Sequence, residues 1–297
     1  MPSRTPLRIW VTAARPRTLP AAVAPVLVGT ALAASEDVFR PLAFVAALIG
    51  SVFIQIGTNL SNDYSDARRG ADTEERLGPV RVTAGGLVPP RKVLVATWLA
   101  FGIAVAAGLY LVALVGWELL LIGAASILAG VLYTGGPRPY GYEGLGELFV
   151  FLFFGLVAVA GSYYVQTEDL TRVAVDLGVS VGLLAAAILV VNNIRDIETD
   201  RRAGKRTLAV RLGRERTRWL FVAMIALAFL NVIVIVATGE ADAWLLISLA
   251  AAPLAVPLVR TVRTRTDGPA LNGALADAGR LLAVFSILLS AGLLLSG

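Results

Sequence analysis

The chain has 297 residues, of which 57% are hydrophobic and 16% are charged, and its mean hydropathy is +0.76. Roughly a quarter of the residues in soluble domains are charged, so this composition indicates an integral membrane protein. The sequence contains no cysteine and no histidine, which excludes disulfides, thiolate nucleophiles, imidazole bases and Cys/His metal sites.

Apolar segments follow one another along the whole chain. A helix needs roughly 20 apolar residues to cross the hydrocarbon of a bilayer. We therefore expect an all-α bundle of nine transmembrane helices that forms a single domain over residues 1–297. The segments are 19–35, 42–60, 93–115, 118–133, 147–165, 176–194, 218–238, 243–260 and 277–296. Those at 118–133 and 243–260 are short, and we expect them to be tilted or partly interfacial.

The distribution of Lys and Arg predicts the orientation, because cytoplasmic loops accumulate these residues. With the N-terminus inside, Arg40 and Arg172 are the only basic residues on the outer side. We expect a multi-pass protein of the plasma membrane, surrounded by membrane lipid, with its N-terminus and its long charged loops in the cytoplasm. The net charge of +5 follows from this asymmetry. No aromatic-basic motif accompanies it, so nucleic acid is not an expected partner.

Two of the inner loops differ from the others, one over residues 59–92 and one over residues 192–216. Each begins at the end of an apolar segment with the pattern Asn-x-x-x-Asp, continues with a charged stretch that contains Arg and Gly, and is followed by two further spans. This similarity predicts a distant internal duplication with about four helices in each half.

Helical spacing places the polar residues of each loop on one face, since positions three and four apart are neighbours. In the first loop we expect a polar stripe, with Asn62 beside it, made of Gln55, Asn59, Asp63 and Asp66. In the second loop the expected stripe is Asn192, Asp196 and Asp200. Carboxylates within a membrane cost about 2.5 to 3.5 kcal/mol each and persist mainly where they face a cavity or a partner. Two such stripes on one side of the membrane predict a shared site, whereas a single stripe is equally typical of a solvated helix end.

The chemistry of the predicted stripes favours a hard divalent ion. Carboxylate and amide oxygens without imidazole or thiolate suit Mg²⁺, whose coordination is usually completed by phosphate oxygens. Arg81 and Lys205 are the best candidates to neutralise a diphosphate. Arg76 is a further nearby cation, whereas Arg68, Arg206 and Arg211 are at least as typical of positive-inside loops. A diphosphate at the membrane edge with an apolar bundle behind it indicates a prenyl diphosphate substrate.

Four stretches carry a resemblance to a known family. They are RPRTLPAAVAPVLVGT (15–30), GTNLSNDYSDARRGADTEERLGPVRVTAGGL (57–87), YTGGPRPYGYEGLGE (133–147) and NNIRDIETDRRAGKRTLAVRLG (192–213). They resemble the UbiA superfamily of intramembrane aromatic prenyltransferases, and most of all the branch that acts on 1,4-dihydroxy-2-naphthoate in menaquinone biosynthesis. The resemblance implies Mg²⁺-dependent transfer of a polyprenyl group from its diphosphate to this aromatic acceptor, with decarboxylation, to give demethylmenaquinone.

The resemblance also implies roles for individual residues. The catalytic and metal-binding carboxylates would be Asp63, Asp66, Asp196 and Asp200, and Asn59 and Asn192 would complete the metal ligands. Ala67 stands where many relatives have a second Asp, and Asp66 is expected to substitute for it. The substrates would be bound by the three loop amides Asn59, Asn62 and Asn192 and by Gln55, Arg81 and Lys205.

The Gly- and Pro-rich stretch at 133–147 predicts a loop that approaches the substrate. There Arg138 would face a carboxylate, and a carbocation would be flanked by Tyr133, Tyr140 or Tyr142. The alternative is a tight turn between helices with tyrosines at the membrane interface. Arg15, which precedes the first span, is interpreted as an interfacial anchor.

Other functions remain open at the level of sequence. The same fold would accept 4-hydroxybenzoate, homogentisate or a lipid alcohol as acceptor. A carrier for a phosphorylated lipid should have polar residues along a path near the midplane, whereas the carboxylates here gather at one side. The compact D-x-x-D-G-x-x-A-R pattern of CDP-alcohol phosphotransfer is absent from the sequence.

Overall fold

The computed structural model describes residues 5–71, 77–78 and 80–297, so Arg76 lies outside the described residues. All regular structure within these ranges is helical, and they contain no strand. The helices are α1 (Pro6–Ala14), α2 (Pro20–Ser35), α3 (Pro41–Arg68), α4 (Pro90–Val115), α5 (Glu118–Leu132), α6 (Gly146–Thr167), α7 (Arg172–Arg202), α8 (Leu208–Leu212), α9 (Arg214–Ala237), α10 (Ala243–Thr264) and α11 (Gly268–Ser296).

Several helices begin where the sequence provides a start signal. Proline has a fixed φ and no N–H to satisfy, which suits the first turn of a helix, and it opens α2, α3 and α4 as Pro20, Pro41 and Pro90. Asp267 caps α11, because its side chain accepts a hydrogen bond from the Ala270 N–H at 3.0 Å. The starts of α2, α3 and α4 lie within a few residues of the predicted segments, whereas α3 extends beyond residue 60 to Arg68 and α11 begins at Gly268 rather than at 277.

Seven helices in the described part of the chain are long and apolar enough to cross a membrane: α3, α4, α6, α7, α9, α10 and α11. The bent pair Leu7–Thr18 and Pro20–Ser35, which meets at 54°, would make an eighth span. The remaining apolar helix, α5, has 15 residues. The prediction of an all-helical multi-pass membrane protein is confirmed, while the count of nine spans and the internal duplication stay predictions.

Helix α7 forms the centre of the bundle and packs against α2, α6, α9 and α11. Small residues allow α6 to approach it closely. A Cβ atom added at Gly182 of α7 would lie 2.8 Å from the carbonyl oxygen of Phe151 and 3.0 Å from the Cα of Gly155, both in α6. The close crossing seats α6 firmly on α7 and places the start of α6 beside the polar C-terminal turns of α7.

The polar ends of α3 and α7 lie at the same end of the bundle. Lys205, which follows α7, contacts Asp66 near the end of α3. The α6–α7 crossing and the packing of α3 against α4 therefore hold the two predicted stripes next to each other.

Candidate active site

A cavity of about 460 Å³ lies inside the bundle. One end is polar and is lined by residues from the last turns of α3 and α7, together with Arg15, Arg81 and Lys205. The remainder is mainly apolar and runs between α3, α4, α5 and α6; its walls include Leu109, Leu120, Phe153 and Val157. This shape suits a molecule with a charged head and an apolar body. Among the predicted site residues, all except Asp63 and Arg138 line the cavity.

The polar row on α3 consists of Gln55, Asn59, Asn62 and Asp66. Its amides also connect α3 to neighbouring segments. The side-chain nitrogens of Gln55 and Asn59 donate to the hydroxyl of Thr18 at 3.1 and 3.2 Å, and Asn62 Oδ1 accepts from the hydroxyl of Thr134 at 3.0 Å. The row therefore fixes the α1–α2 bend and the end of α5 around the polar end of the cavity.

Asp63 does not belong to this row, which corrects the expected stripe. The Asp63 carboxylate accepts hydrogen bonds from two backbone N–H groups, those of Val82 at 3.0 Å and Thr83 at 2.8 Å. The reason is geometric, because each step of four residues along a helix turns the face by about 40°. Asp63 lies two such steps after Gln55, so its side chain is turned away from the row and toward the loop. The step from Asn59 to Asn62 has three residues and turns the face in the opposite direction, so Asn62 stays on the side of Gln55.

The loop that Asp63 holds is a compact turn over residues 80–88. The backbone N–H groups of Leu87 and Val88 both donate to the Val82 carbonyl, at 2.9 and 3.0 Å. Gly86 has a φ of 67°, and a Cβ at Gly85 would lie 2.8 Å from the Arg81 carbonyl oxygen. Glycine is therefore required at both positions, and the turn presents Arg81 to the cavity.

Asp66 contacts several groups at the polar end, and it is only 1% exposed. Its Oδ2 lies 3.3 Å from Lys205 Nζ and 3.5 Å from Arg81 Nη2. Its Oδ1 accepts a hydrogen bond from the Tyr142 hydroxyl at 2.7 Å. Lys205 Nζ also lies 4.8 Å from the centre of the Tyr142 ring. Both predicted cations are thus found beside a predicted carboxylate.

The second stripe lines the cavity as expected, with Asn192, Asp196 and Asp200. Arg195 binds the carboxylate of Asp196, and the sequence did not identify Arg195 as a site residue. Arg195 Nε donates to Asp196 Oδ1 at 2.8 Å and Nη2 to Oδ2 at 2.6 Å, and Nη2 also donates to Asn192 Oδ1 at 2.8 Å. Adjacent helical residues do not normally face each other, so spacing alone could not reveal this pair.

A buried polar pair lies behind the second stripe and was also missed. Asn193 lines the cavity, and its Nδ2 donates to Glu147 Oε1 at 2.8 Å. Glu147 is 3% exposed, and its Oε2 has no hydrogen-bond partner among the described residues. An acidic residue at the start of an apolar span was the available signal, since such residues require a partner.

Tyr133 and Tyr140 line the cavity beside Phe149. The ring of Tyr140 stacks on Phe149 with centroids 4.0 Å apart and meets Tyr133 edge-on at 5.5 Å. Burial raises the pKa of the Tyr140 hydroxyl, so this phenol stays neutral. Both rings therefore border the cavity, and their role beside a substrate stays a prediction.

Arg138 occupies a different position from the predicted one. Its side chain is 82% exposed, and Nε lies 3.2 Å from Glu143 Oε1. The hydrogen bond from Arg138 lowers the pKa of the Glu143 carboxyl. Gly136, with a φ of 73°, turns the chain before Arg138, so that this arginine faces a neighbouring carboxylate outside the cavity.

The oxygen donors at the polar end fit a Mg²⁺ ion whose coordination would be completed by phosphate oxygens. No group of three or more acidic side chains in the described ranges lies close enough to hold a metal ion on its own. The oxygens that line the polar end come from carboxylates and amides, the ligands that Mg²⁺ prefers, and Mg²⁺ commonly completes its shell with substrate phosphates. Asp66 and Asp196 each retain lone pairs beyond those used by their cations.

Comparison with known proteins agrees with this arrangement. Residues 22–276 match the UbiA prenyltransferase family. A 1,4-dihydroxy-2-naphthoate octaprenyltransferase of Mycobacterium leprae (strain TN) is 44% identical over 97% of this chain and 97% of its own length. A protein of the same name from Mycobacterium tuberculosis is 43% identical over 96% of each chain.

The fold agrees as well. A UbiA homologue from Archaeoglobus fulgidus, solved bound to GPP and Mg²⁺, matches with a TM-score of 0.66 at 14% identity over 95% of this chain and 99% of that chain. The family match extends over most of the sequence, and the relatives align along nearly their whole length. The chain therefore belongs to the UbiA prenyltransferase family.

Proposed function

We propose that the chain transfers a polyprenyl group from its diphosphate to 1,4-dihydroxy-2-naphthoate in the presence of Mg²⁺, with loss of the ring carboxylate, to give demethylmenaquinone. The observation that carries this proposal is the single cavity in which both acidic stripes meet above a long apolar space. The names of the two mycobacterial relatives, which align over nearly their full length, support the choice of acceptor and a long prenyl donor.

The polar end would bind the diphosphate. Asp66, Asp196 and Asp200 would hold Mg²⁺ together with the loop amides Asn59 and Asn192. The bound ion would supply charge neutralisation that makes diphosphate a better leaving group. Lys205 and Arg81 already lie beside Asp66 and would donate to the phosphate oxygens as charge develops on them.

The aromatic row would stabilise the other product of bond cleavage. Positive charge develops on the allylic carbon as the C–O bond weakens, and Tyr133, Tyr140 and Phe149 line the cavity. A cation over an aromatic face gains about 0.5 to 2 kcal/mol. The same apolar walls exclude water, which would otherwise compete with the acceptor ring for that carbon.

The chain needs no nucleophilic side chain, because the electron-rich ring of the acceptor is itself the nucleophile. Catalysis would come from holding the two substrates in contact and from stabilising the charges that form. Asp63 would contribute by positioning, since it anchors the turn that carries Arg81 rather than facing the cavity.

We further propose that the protein lies in the plasma membrane as a single domain, with the N-terminus and the polar end of the cavity on the cytoplasmic side. The concentration of Lys and Arg in the loops at that end supports this orientation. A water-soluble acceptor would then reach the site from the cytoplasm, while the prenyl chain would lie among membrane lipids.

The purified protein should be incubated with Mg²⁺, prenyl diphosphates of graded length and one of three acceptors: 1,4-dihydroxy-2-naphthoate, 4-hydroxybenzoate or homogentisate. We expect a decarboxylated prenyl product from the naphthoate alone, with one diphosphate released per product. A product formed only from another acceptor would overturn the acceptor assignment. Lipid movement across vesicles without diphosphate release would instead identify a carrier.

A further inference from the structure

We propose that Arg195 and Asn272 form a relay that ties the second aspartate stripe to the loop carrying Arg81, so that the two halves of the diphosphate site are positioned together. The inference rests on the proposed function, which it deepens by assigning two positioning residues outside the expected motifs. Neither residue is among the described residues that line the cavity; both would act through the side chains that do.

Arg195 is committed to partners within the chain. Its side chain is 1% exposed, and its guanidinium donates to both oxygens of Asp196, to Asn192 Oδ1 and, through Nη1, to Asn272 Oδ1 at 2.7 Å. An arginine presents five N–H donors in a fixed fork, and most of them are used here. Arg195 is therefore suited to orient the ligands Asp196 and Asn192 rather than to bind the substrate directly.

Asn272, on α11, has a defined orientation. A guanidinium can only donate and a backbone carbonyl can only accept, so Asn272 Oδ1 faces Arg195 while Nδ2 donates to the Leu77 carbonyl at 2.8 Å. A single amide thus joins the second stripe to the segment that leads into the loop. An amide satisfies both neighbours at once, which neither a carboxylate nor an ammonium group can do.

A second observation places Leu77 firmly on α11. Gly268 lies one helical turn before Asn272 and therefore on the same face. A Cβ atom at Gly268 would lie 3.1 Å from Leu77 Cβ and 3.4 Å from the Leu77 carbonyl oxygen. The absence of a side chain at position 268 leaves the space in which Leu77 sits, so the amide and the glycine act on the same backbone.

The chain is consequently held on both sides of Arg81. Asn272 holds the segment before the loop, at Leu77, and Asp63 holds the loop itself, at Val82 and Thr83. Arg81 Nη2 lies 3.5 Å from Asp66 Oδ2, so a shift of either attachment changes the position of this cation relative to the carboxylate. Arg195 links the first of these attachments to Asp196.

The absence of cysteine allows a direct test. Val82 is completely buried, so a thiol introduced by Val82→Cys reacts with a maleimide only when the loop opens. Asn272→Asp keeps an oxygen for Arg195 but loses the donor to Leu77. We expect it to raise the labelling rate at position 82 by about two- to ten-fold, the effect of one hydrogen bond. The buried Val262→Cys serves as the matched control and should label at an unchanged rate.

Arg195→Lys keeps the positive charge but loses the planar arrangement of N–H donors of the guanidinium. We expect this variant also to raise labelling at position 82, to increase the Mg²⁺ concentration needed for half-maximal turnover, and to lower kcat/KM by about 10- to 100-fold, as for other residues that orient metal ligands. If only the positive charge at position 195 mattered, Arg195→Lys would retain parental turnover. Gly268→Ala provides a third variant, which displaces Leu77 without altering either relay residue.

Labelling rates at position 82 that match the parent in Asn272→Asp, Arg195→Lys and Gly268→Ala would overturn the relay, whatever their turnover. The labelling is measured without metal or substrate and is therefore independent of the reaction. If the variants label faster but the parent forms no prenylated naphthoate, the relay stands and the proposed function fails.

Discussion

Lys205 and Asp66 are separated by 139 positions in the sequence, yet the Lys205 ammonium lies 3.3 Å from an Asp66 carboxylate oxygen. This contact joins the end of α3 to the segment that follows α7 within a buried environment. Charged groups in such an environment interact more strongly than they do in water. The pair therefore brings the two motif segments together at one point of the polar end of the cavity.

Replacing Asp66 should remove a central carboxylate from the site. In Asp66→Asn we expect turnover to fall on the order of 100-fold, because Lys205 and Arg81 lose their shared partner and the site loses a metal ligand. Initial rates over a range of Mg²⁺ concentrations measure the effect. Glu215→Gln, on the exposed face of α9, is the matched control and should behave as the parent. Parental turnover in Asp66→Asn would remove Asp66 from the site.

Asp63→Asn should act through the loop. An amide can accept from only one of the two backbone N–H groups that Asp63 binds, and it directs its own N–H₂ at the other. We expect the free energy of unfolding to fall by about 1 to 3 kcal/mol and KM for the prenyl diphosphate to rise more than kcat falls. A large loss of kcat at unchanged stability would instead support the original interpretation of Asp63 as a metal ligand.

Tyr142→Phe removes the hydrogen bond to Asp66 while keeping the ring beside Lys205. We expect kcat/KM to fall about two- to ten-fold, the size of one hydrogen bond. Steady-state kinetics against both substrates would measure this. Tyr110→Phe, on the exposed side of α4, should show parental values; equal effects in the two variants would rule out a specific role for Tyr142.

The close crossing of α6 and α7 should tolerate no added methyl group. In Gly182→Ala the new Cβ would meet the Phe151 carbonyl oxygen, and overpacking of this kind costs about 1 to 3 kcal/mol. Thermal unfolding in detergent should show a lower midpoint. Gly102→Ala, where nothing lies within 4 Å of the added atom, should be neutral or slightly stabilising.

The cap of α11 should make stability depend on pH. The hydrogen bond from Arg265, followed by that from the Ala270 N–H, lowers the pKa of Asp267. Stabilisation by the ionised carboxylate is therefore complete above the ordinary Asp pKa of about 3.9 and is lost as the pH falls through the lowered folded value. The difference in unfolding temperature between the parent and Asp267→Asn should be constant near neutral pH and shrink below about pH 4. A constant difference down to about pH 2 would contradict this assignment.

The positions of the long helices could be predicted because bilayer thickness sets a minimum apolar length. The predicted segment 42–60 lies within α3, for example, but α3 continues to Arg68. The polar continuation carries the motif residues, and hydropathy ends a span where the apolar residues end rather than where the helix does. The bend between α1 and α2 was not predicted either. It occurs at Arg15, which adopts a left-handed φ of 54°.

The acidic residues of the site could be predicted from their type and spacing, and Arg81 and Lys205 were named as nearby cations, whereas the hydrogen bonds that other residues make to these carboxylates could not be predicted. Tyr142 meets Asp66 from 76 positions away, and no local pattern records such a contact. Arg15 was interpreted as an interfacial anchor, yet it lines the cavity because the bend of the chain turns it inward. Asp66 lines the cavity and Asp63 faces the loop because their side chains leave the helix in different directions. Spacings of three and four residues both place side chains near one face, so the sequence pattern did not separate the two carboxylates.

The buried carboxylates also determine what the protein needs in order to fold. Asp66 is balanced by Lys205, Asp196 by Arg195, and Asp63 by backbone N–H groups. Each of these three carboxylates therefore has a counterpart supplied by the polypeptide. A chelator should abolish turnover while leaving the unfolding temperature unchanged, so that newly inserted protein can persist in a bilayer depleted of its substrates.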